Sequence, residues 1–589
     1  MVDPDEIIGH LSWYQLILFI IPCTIFTSSG LNNVLSVFIL AKPNFRCKSC
    51  FDDIYAKSPE SDETNFTEIF KNNFYDTFYD QKQGKCGIEY DFCKISAEAG
   101  YFSESSRNLS IPVPESLESC CYADTSIPIN EKCDAEQISD FNYSMPTSCD
   151  TYIYDNSVFE ATVVSDFDLV CSDSWLMDLS TSIYFLGFGI GGIIGSYFND
   201  KYGRRPVLLI SSFLLILATV CLGFVNNFTL FMIFRCIVGF LSNAQLITAY
   251  SLAVEVVGSK YRGWCISLGM LAFTFGTVGV SILAFFFRDW HELQLATAVY
   301  TLPAVVLVWL VPESWRWMVS VKKLDEAKIV ALKLAENGRY FGEKVSEKEK
   351  SDLFEGIDEM SKTSECLKKT GSSVFDLITD KKFGWVTLNL NYNWFVNSIV
   401  YYGLALNAGG LPGSIYANNI ILALMDVPSH FVFPFLIETK RFGRKGTLAW
   451  GMILGGICCL SSTLCLEFAG CNENSMLDIL GKVFAYTGKV FVSATFSISY
   501  IISGEIYPAE LRSNGIGLCS ASARVSAMLC PFVLSLAGIF GWLPGVIFSV
   551  FGISAGVLSF WLPETRGKRL TSSLEEAKRV LFGGYDQLE

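Results

Sequence analysis

Charge is scarce in this chain. Asp, Glu, Lys and Arg make up 17% of its 589 residues, against about a quarter in soluble globular domains. Histidine is scarcer still, with three copies. There is no Gly-rich phosphate loop, which argues against ATP-driven pumping. The apolar stretches hold no His/Cys pattern at metal-ligand spacing and no catalytic constellation, so neither metal, cofactor nor enzymatic activity is expected. What the chain has instead is apolar: 51% hydrophobic residues, 14% aromatic and a mean hydropathy of +0.36. Apolar runs of about 20 residues recur, the length at which a helix crosses a bilayer. The expected fold class is an all-α polytopic membrane protein, in a lipid bilayer and without nucleic-acid partners.

The formal charge of −15 is concentrated in one place. Between Ala41 and Ser172 there are 24 Asp/Glu against 10 Lys/Arg, a net −14, so the remainder is nearly neutral. The same segment holds nine of the 20 cysteines: Cys47, Cys50, Cys86, Cys93, Cys120, Cys121, Cys133, Cys149 and Cys171. It also carries glycosylation sequons at Asn65, Asn108 and Asn142. Cysteine density with sequons reads as an extracellular, glycosylated, disulfide-bonded insert. The absence of His there argues against a cytosolic zinc module, and an odd count leaves one cysteine over.

The expected organisation is a cytosolic N-terminus (1–14), a first span (15–40), the insert (41–175), spans two to six within 176–315, a cytosolic loop (316–383), spans seven to twelve within 384–562, and a cytosolic tail (563–589). The loop contains LDEAKIVALKLAENG, whose apolar spacing and terminal Gly predict a short helix. The basic turn Asp200 to Pro206, and Lys260 with Arg262, place these loops in the cytosol by the positive-inside rule. The insert and a sequon at Asn227 then face outward.

Three motifs recur in order. Gly203-Arg204-Arg205 matches Gly443-Arg444-Lys445, Glu255 with Arg262 matches Glu505 with Arg512, and Pro312-Glu313-Ser314 matches Pro563-Glu564-Thr565. Their offsets of 240, 250 and 251 residues indicate two parallel six-helix repeats, with a site between them near the midplane. Arg204 and Arg205 are expected to pair with carboxylates and helix ends, fastening the bundles in one state.

These residues carry a family resemblance. GSYFNDKYGRRP, FRCIVG, EVVGSKYRG and PESWRW resemble the major facilitator superfamily. PNFRC (43–47), FDLVC (167–171), WFVNSIVYYG (394–403) and GKVFVSATFSISYIISGEIYPAELR (488–512) resemble its organic-ion branch, solute carrier family 22. The likeness covers nearly the whole chain and implies the twelve-helix major facilitator fold. It implies a gating set of Asp200, Arg204, Arg205, Arg235, Glu255, Arg262, Arg444, Glu505 and Arg512. The chain departs from the pattern at Ser196, where Gly is usual, at Lys440, opposite Asp200 in the repeat, and in its nine insert cysteines, where six are expected.

Arg524 lies mid-way along an apolar, small-residue run, where a charge is expensive and faces water or a partner. Cation transporters of the branch resemble one another in carrying Asp at this position; anion and carnitine transporters carry Arg. The expectation is a shielded guanidinium for a carboxylate. Asn389, Asn393, Asn397 and Tyr401 form a polar stripe at four-residue spacing. Trp394, Asn397, Tyr401, Tyr402, Phe496 and Tyr500 are candidate cavity residues, aromatic walls suiting organic ions. Asn33, in the first span, either faces other helices or lines the cavity. His430 stands where anion transporters tend to carry Lys, and Lys489 is a further cation or a neutraliser of Asp426. The expected function is a plasma-membrane carrier of organic anions, working by alternating access, possible counter-substrates being a dicarboxylate or an inorganic ion. A carnitine-like zwitterion carrier is the alternative, then a cation carrier, and last a non-transporting receptor.

Overall fold

The computed structural model describes residues 13–43, 45–47, 152–256, 262–337, 345–368, 379–437, 442–469, 476–508, 510–568 and 574–582, with isolated positions 7, 377, 439 and 571. The sequons at Asn65, Asn108 and Asn142 and seven of the insert cysteines, Cys50 to Cys149, lie outside them.

The first half contains α1 (Trp13–Val34), α2 (Trp175–Tyr202), α3 (Arg204–Leu222), α4 (Phe228–Val256), α5 (Arg262–Phe286) and α6 (Trp290–Val308). Two surface helices follow, α7 (Leu324–Asn337) and α8 (Glu347–Lys368), tied by Lys328 to Asp358 at 2.8 Å. The second half contains α9 (Lys381–Leu406), α10 (Ile415–Leu424), α11 (Asp426–Ile437), α12 (Gly443–Ala469), α13 (Met476–Ile506), α14 (Arg512–Ser535) and α15 (Leu543–Ser559). A short helix α16 (Leu574–Phe582) ends the described chain.

Among the described residues, eight helical stretches, on α1 to α6, α12 and α14, are long and apolar enough to cross a membrane. The stretches expected as spans seven, eight, ten and twelve are helical, as α9, α10 with α11, α13 and α15, but more polar or shorter. The stretch 415–437 is broken at Met425 because Pro428 has no N–H to donate to the Leu424 carbonyl. One departure from all-helix is a pair of three-residue antiparallel strands, β1 (Phe45–Cys47) and β2 (Tyr152–Tyr154), which close the base of the insert with Phe45 opposite Tyr154. Cys171, at its far edge, is disulfide-bonded.

Helices α1 to α6 pack together, α9 to α15 pack together, and the two bundles meet along α2 with α14 and α5 with α10 and α11. The seam is drawn tight on the side of the insert. There Ser182 donates to the Met528 carbonyl at 2.7 Å, Asn419 donates to the Ser281 hydroxyl at 2.7 Å, and Phe38 stacks on Tyr416 at 5.7 Å.

Candidate functional site

The repeated motifs assemble into two matching clusters at the end opposite the insert. In the first, Gly203 adopts φ +101 and α3 starts with no side-chain cap. Glu313 fills that role from beyond α6: its carboxylate accepts from the backbone N–H of Arg204 at 2.9 Å and of Arg205 at 3.2 Å, where the helix dipole favours negative charge. A Cβ at Gly203 would collide with this carboxylate. The Arg204 guanidinium reaches Glu255 on α4 at 3.0 Å and Asp200 at 3.5 Å.

The second cluster repeats the first. Gly443 has φ +62, Glu564 accepts from the N–H of Arg444 at 3.0 Å and of Lys445 at 3.3 Å, and Arg444 pairs with Glu505. Both clusters lie inside their own bundle. The expectation that Arg204 and Arg205 fasten one bundle to the other is therefore corrected for this conformation: Arg205 donates to the Trp309 carbonyl at 2.9 Å, and Arg512 to the Tyr507 carbonyl at 3.2 Å. Asp200 is 79% exposed on its side chain. The Arg262 side chain lies outside the described set. Glu313 and Glu564 were visible as repeat markers; their capping role depends on the fold, since the Gly at each helix start gives no sign of which distant acid arrives.

Arg235 does not join this cluster. It sits about 30 Å from Glu255 along α4, at 1.5 Å per residue, wholly buried, and donates to the Ser36 hydroxyl at 2.5 Å. The structure thus places this expected gating residue apart from the motif clusters.

Between the bundles, α14 brings Arg524 against α2, its Cζ 4.6 Å from the Phe188 ring centroid. Tyr402 and Tyr500 on the second bundle and Tyr184 on the first lie within its electrostatic reach. Among the described residues no carboxylate pairs with it. Tyr402 meets Phe185 edge-on at 4.7 Å, joining α9 to α2 across the seam. In the sequence the three α2 aromatics look like ordinary packing residues and carry no signal of this position.

Trp394, Tyr401, Phe496 and Tyr500 do come together as an aromatic group. Trp394 meets Tyr500 at 4.3 Å and Phe496 at 6.1 Å, and Tyr401 lies 5.8 Å from Phe496. Trp394 is buried behind the cluster and donates from its indole N–H to Ser503 at 2.9 Å.

The asparagine stripe faces protein. Asn397 donates to Ser499 at 3.0 Å and accepts from Thr495 at 2.6 Å. Asn393 accepts from Ser559 at 2.8 Å, and Asn389 donates to the Leu558 carbonyl at 2.7 Å. These amides join α9 to α13 and α15, and in this conformation Asn397 is buried with both of its polar atoms paired to protein. Asn33 is buried too, its amide N–H2 donating to the Ser29 carbonyl at 2.8 Å.

Asp426, at the break between α10 and α11, is neutralised within its own bundle. Tyr401 donates to Oδ2 at 2.9 Å, and the Lys489 ammonium lies 3.8 Å from Oδ1 and 3.1 Å from the Tyr401 ring centroid. Lys489 is 2% exposed, and Asp426 is its carboxylate neighbour among the described residues. A cavity of about 10 Å³ beside the pair, roughly one water, is lined by Val34 and Thr277 from one bundle and Tyr401, Asn419, Asp426 and Lys489 from the other. His430 is half-buried one turn further on, within reach of the Asp426 charge.

Known proteins bear on this arrangement. The family described as "Sugar (and other) transporter" matches residues 129–577. The "Organic cation transporter protein" of Drosophila melanogaster is 27% identical over 98% of this chain and 94% of its own length. The "Solute carrier family 22 member 15-like" protein of Xenopus tropicalis is 32% identical over 73% of this chain and 84% of its own. In fold, the chain is similar to the major facilitator proton:xylose symporter XylE, with a TM-score of 0.52 at 18% identity over 70% of this chain and 90% of that one.

Proposed function

This chain belongs to the sugar (and other) transporter family and, within it, to solute carrier family 22; from that premise we propose that it carries organic anions across the plasma membrane. It is a multi-pass transporter of small organic ions and not an enzyme. Our reading adds that α9, α10 with α11, α13 and α15 complete a set of twelve spans, and that Arg524 receives the substrate's carboxylate.

The observation that carries the sign of the substrate is an asymmetry between two charges. Asp426 already has Lys489 and the Tyr401 hydroxyl. Arg524 has aromatic neighbours and no carboxylate among the described residues. A guanidinium left without a counter-charge in a shielded site favours a bidentate carboxylate. The aromatic group of Tyr401, Phe496 and Tyr500 supplies the wall for the organic body. A zwitterion such as carnitine is the second reading: its carboxylate uses the same Arg524, and the aromatic faces take its quaternary ammonium. A cation carrier, which the name of the Drosophila relative describes, ranks below both because Arg524 repels its cargo. Exchange against an intracellular dicarboxylate fits the branch, with His430 in place of Lys as the weaker point of that fit.

Competition uptake in cells, with a carboxylate dye, carnitine and tetraethylammonium, tests the reading. Wild type is expected to accumulate the dye, and Arg524→Asp to lose that uptake by a factor of roughly 10 to 100, the loss of a charge-assisted pair. Dye uptake unchanged in Arg524→Asp would sink it. Accumulation of no probe by a surface-expressed wild type would favour a receptor.

A further inference from the structure

Arg235 is a charge that neither the motif clusters nor the Arg524 site uses. It has no exposed surface. Nη2 donates to Ser36 at 2.5 Å, and the Tyr184 ring covers the guanidinium with its centroid 4.9 Å from Cζ. Nε and Nη1 are buried and donate to no atom. Among the described residues no carboxylate acts on it.

This is an expensive arrangement as it stands. A guanidinium cannot shed its proton to escape burial, and an unpaired buried charge costs far more than one with a counter-ion. Arg235 also lies in the first half of α4 (Phe228–Val256), toward its positive end. The carbonyl end of α1, next to Ser36, offers only a fractional opposing charge. Two donor nitrogens without an acceptor, an aromatic lid and a hydroxyl, with no carboxylate among the described residues, describe a receptor for an anion. Full enclosure restricts it to a small one.

We propose that Arg235 holds a small inorganic anion, chloride under physiological conditions, between α1, α2 and α4. The ion would be a resident counter-charge that keeps α1 against α4, in a site separate from that of Arg524.

Equilibrium binding of radiolabelled chloride to the purified full-length protein in gluconate buffer tests this. Wild type and Arg524→Gln are both expected to retain one saturable chloride per chain. Arg235→Gln is expected to bind it roughly 10- to 100-fold more weakly, the loss of a charge-assisted hydrogen-bond pair. Chloride binding that disappears in Arg524→Gln and survives in Arg235→Gln would assign the ion to the substrate site and overturn the proposal. No saturable binding to wild type would overturn it too, leaving water as the partner of Nε and Nη1. Should Arg235→Gln fail to fold, bromide-soaked wild-type crystals keep the question open to decision. An anomalous peak within hydrogen-bond reach of Arg235 supports the site, and bromide only at Arg524 refutes it. The proposal does not depend on the substrate reading, since Arg524→Asp uptake and Arg235 chloride binding fail independently.

Discussion

Removing Lys489 alone would strand Asp426 as a buried carboxylate with one hydroxyl donor. Breaking one side of a buried pair costs about 3–5 kcal/mol, whereas replacing both sides with apolar groups is often neutral. Lys489→Met is therefore expected to lower the thermal midpoint of the purified carrier sharply, and Asp426→Leu/Lys489→Met to recover most of the loss. A double variant as unstable as the single would show that the pair is not a unit. At this scale the sequence was uneven as a guide. Arg524 stood out because a charge within an apolar run has few explanations. Asn397 and the other stripe residues did not sort themselves, because a polar face turned to protein and one turned to a cavity have the same spacing. Lys489 is ambiguous in the sequence because its distance to Asp426 is set by the packing of α13 against α11.

Helix starts carry the repeated motifs, and they are sensitive to one missing Cβ. Gly203→Ala would demand a left-handed backbone from a residue with a Cβ that meets Glu313. The expected loss is roughly 1–3 kcal/mol, read as a drop in melting temperature, and Gly443→Ala against Glu564 should behave alike. If Gly203→Ala melted as wild type, the cap would be plastic. At the other end of the chain, α16 is held to the start of α9. Lys578 pairs with Asp380 at 2.5 Å, and Phe582 meets Phe383 edge-on at 5.7 Å. Hydrogen bonding from Lys578, joined by the N–H groups of Phe383 and Lys382, holds the Asp380 carboxyl below its ordinary value. A depressed carboxyl stabilises folding above its unfolded value near ~4 and loses that contribution as pH falls through the depressed one. Docking of α16 should thus be constant from neutral pH down to about 5 and weaken only below about 4. Hydrogen exchange of the α16 amides measures it, and Lys578→Ala should raise exchange at neutral pH. The helix LDEAKIVALKLAENG was legible as α7, Leu324–Asn337, because its apolar period and Gly stop are local. The break at Met425 was also local, written in Pro428, though its use in presenting Asp426 was not.

Across the molecule, the bundles touch on the insert side through Ser182 with Met528 and Asn419 with Ser281, while the motif clusters close within each bundle. Transport by alternating access, the mechanism that the family resemblance implies, requires this insert-side seam to part. A Ser182→Cys/Met528→Cys pair is expected to cross-link under mild oxidant and to abolish uptake, with recovery on reduction. Full uptake in the cross-linked protein would mean that the seam stays shut during transport. The exposed Asp200 marks the opposite face, where its Arg204 contact is a loose 3.5 Å. In the alternate state it is expected to find a partner on the second bundle, so Asp200→Asn should slow uptake while leaving the melting temperature near wild type.

The sequence by itself determined the membrane class, the two-fold repeat and the anomalous Arg524, because hydropathy, motif order and a misplaced charge are properties of the chain in one dimension. It located the acidic, cysteine-rich insert by composition. Only the tertiary structure decided which charges are spent and which are free. That division depends on distances between helices far apart in the chain: Lys489 to Asp426, Glu313 to Gly203, and Arg235 to Ser36. A charge counts as available when nothing within reach opposes it, and reach is set by packing.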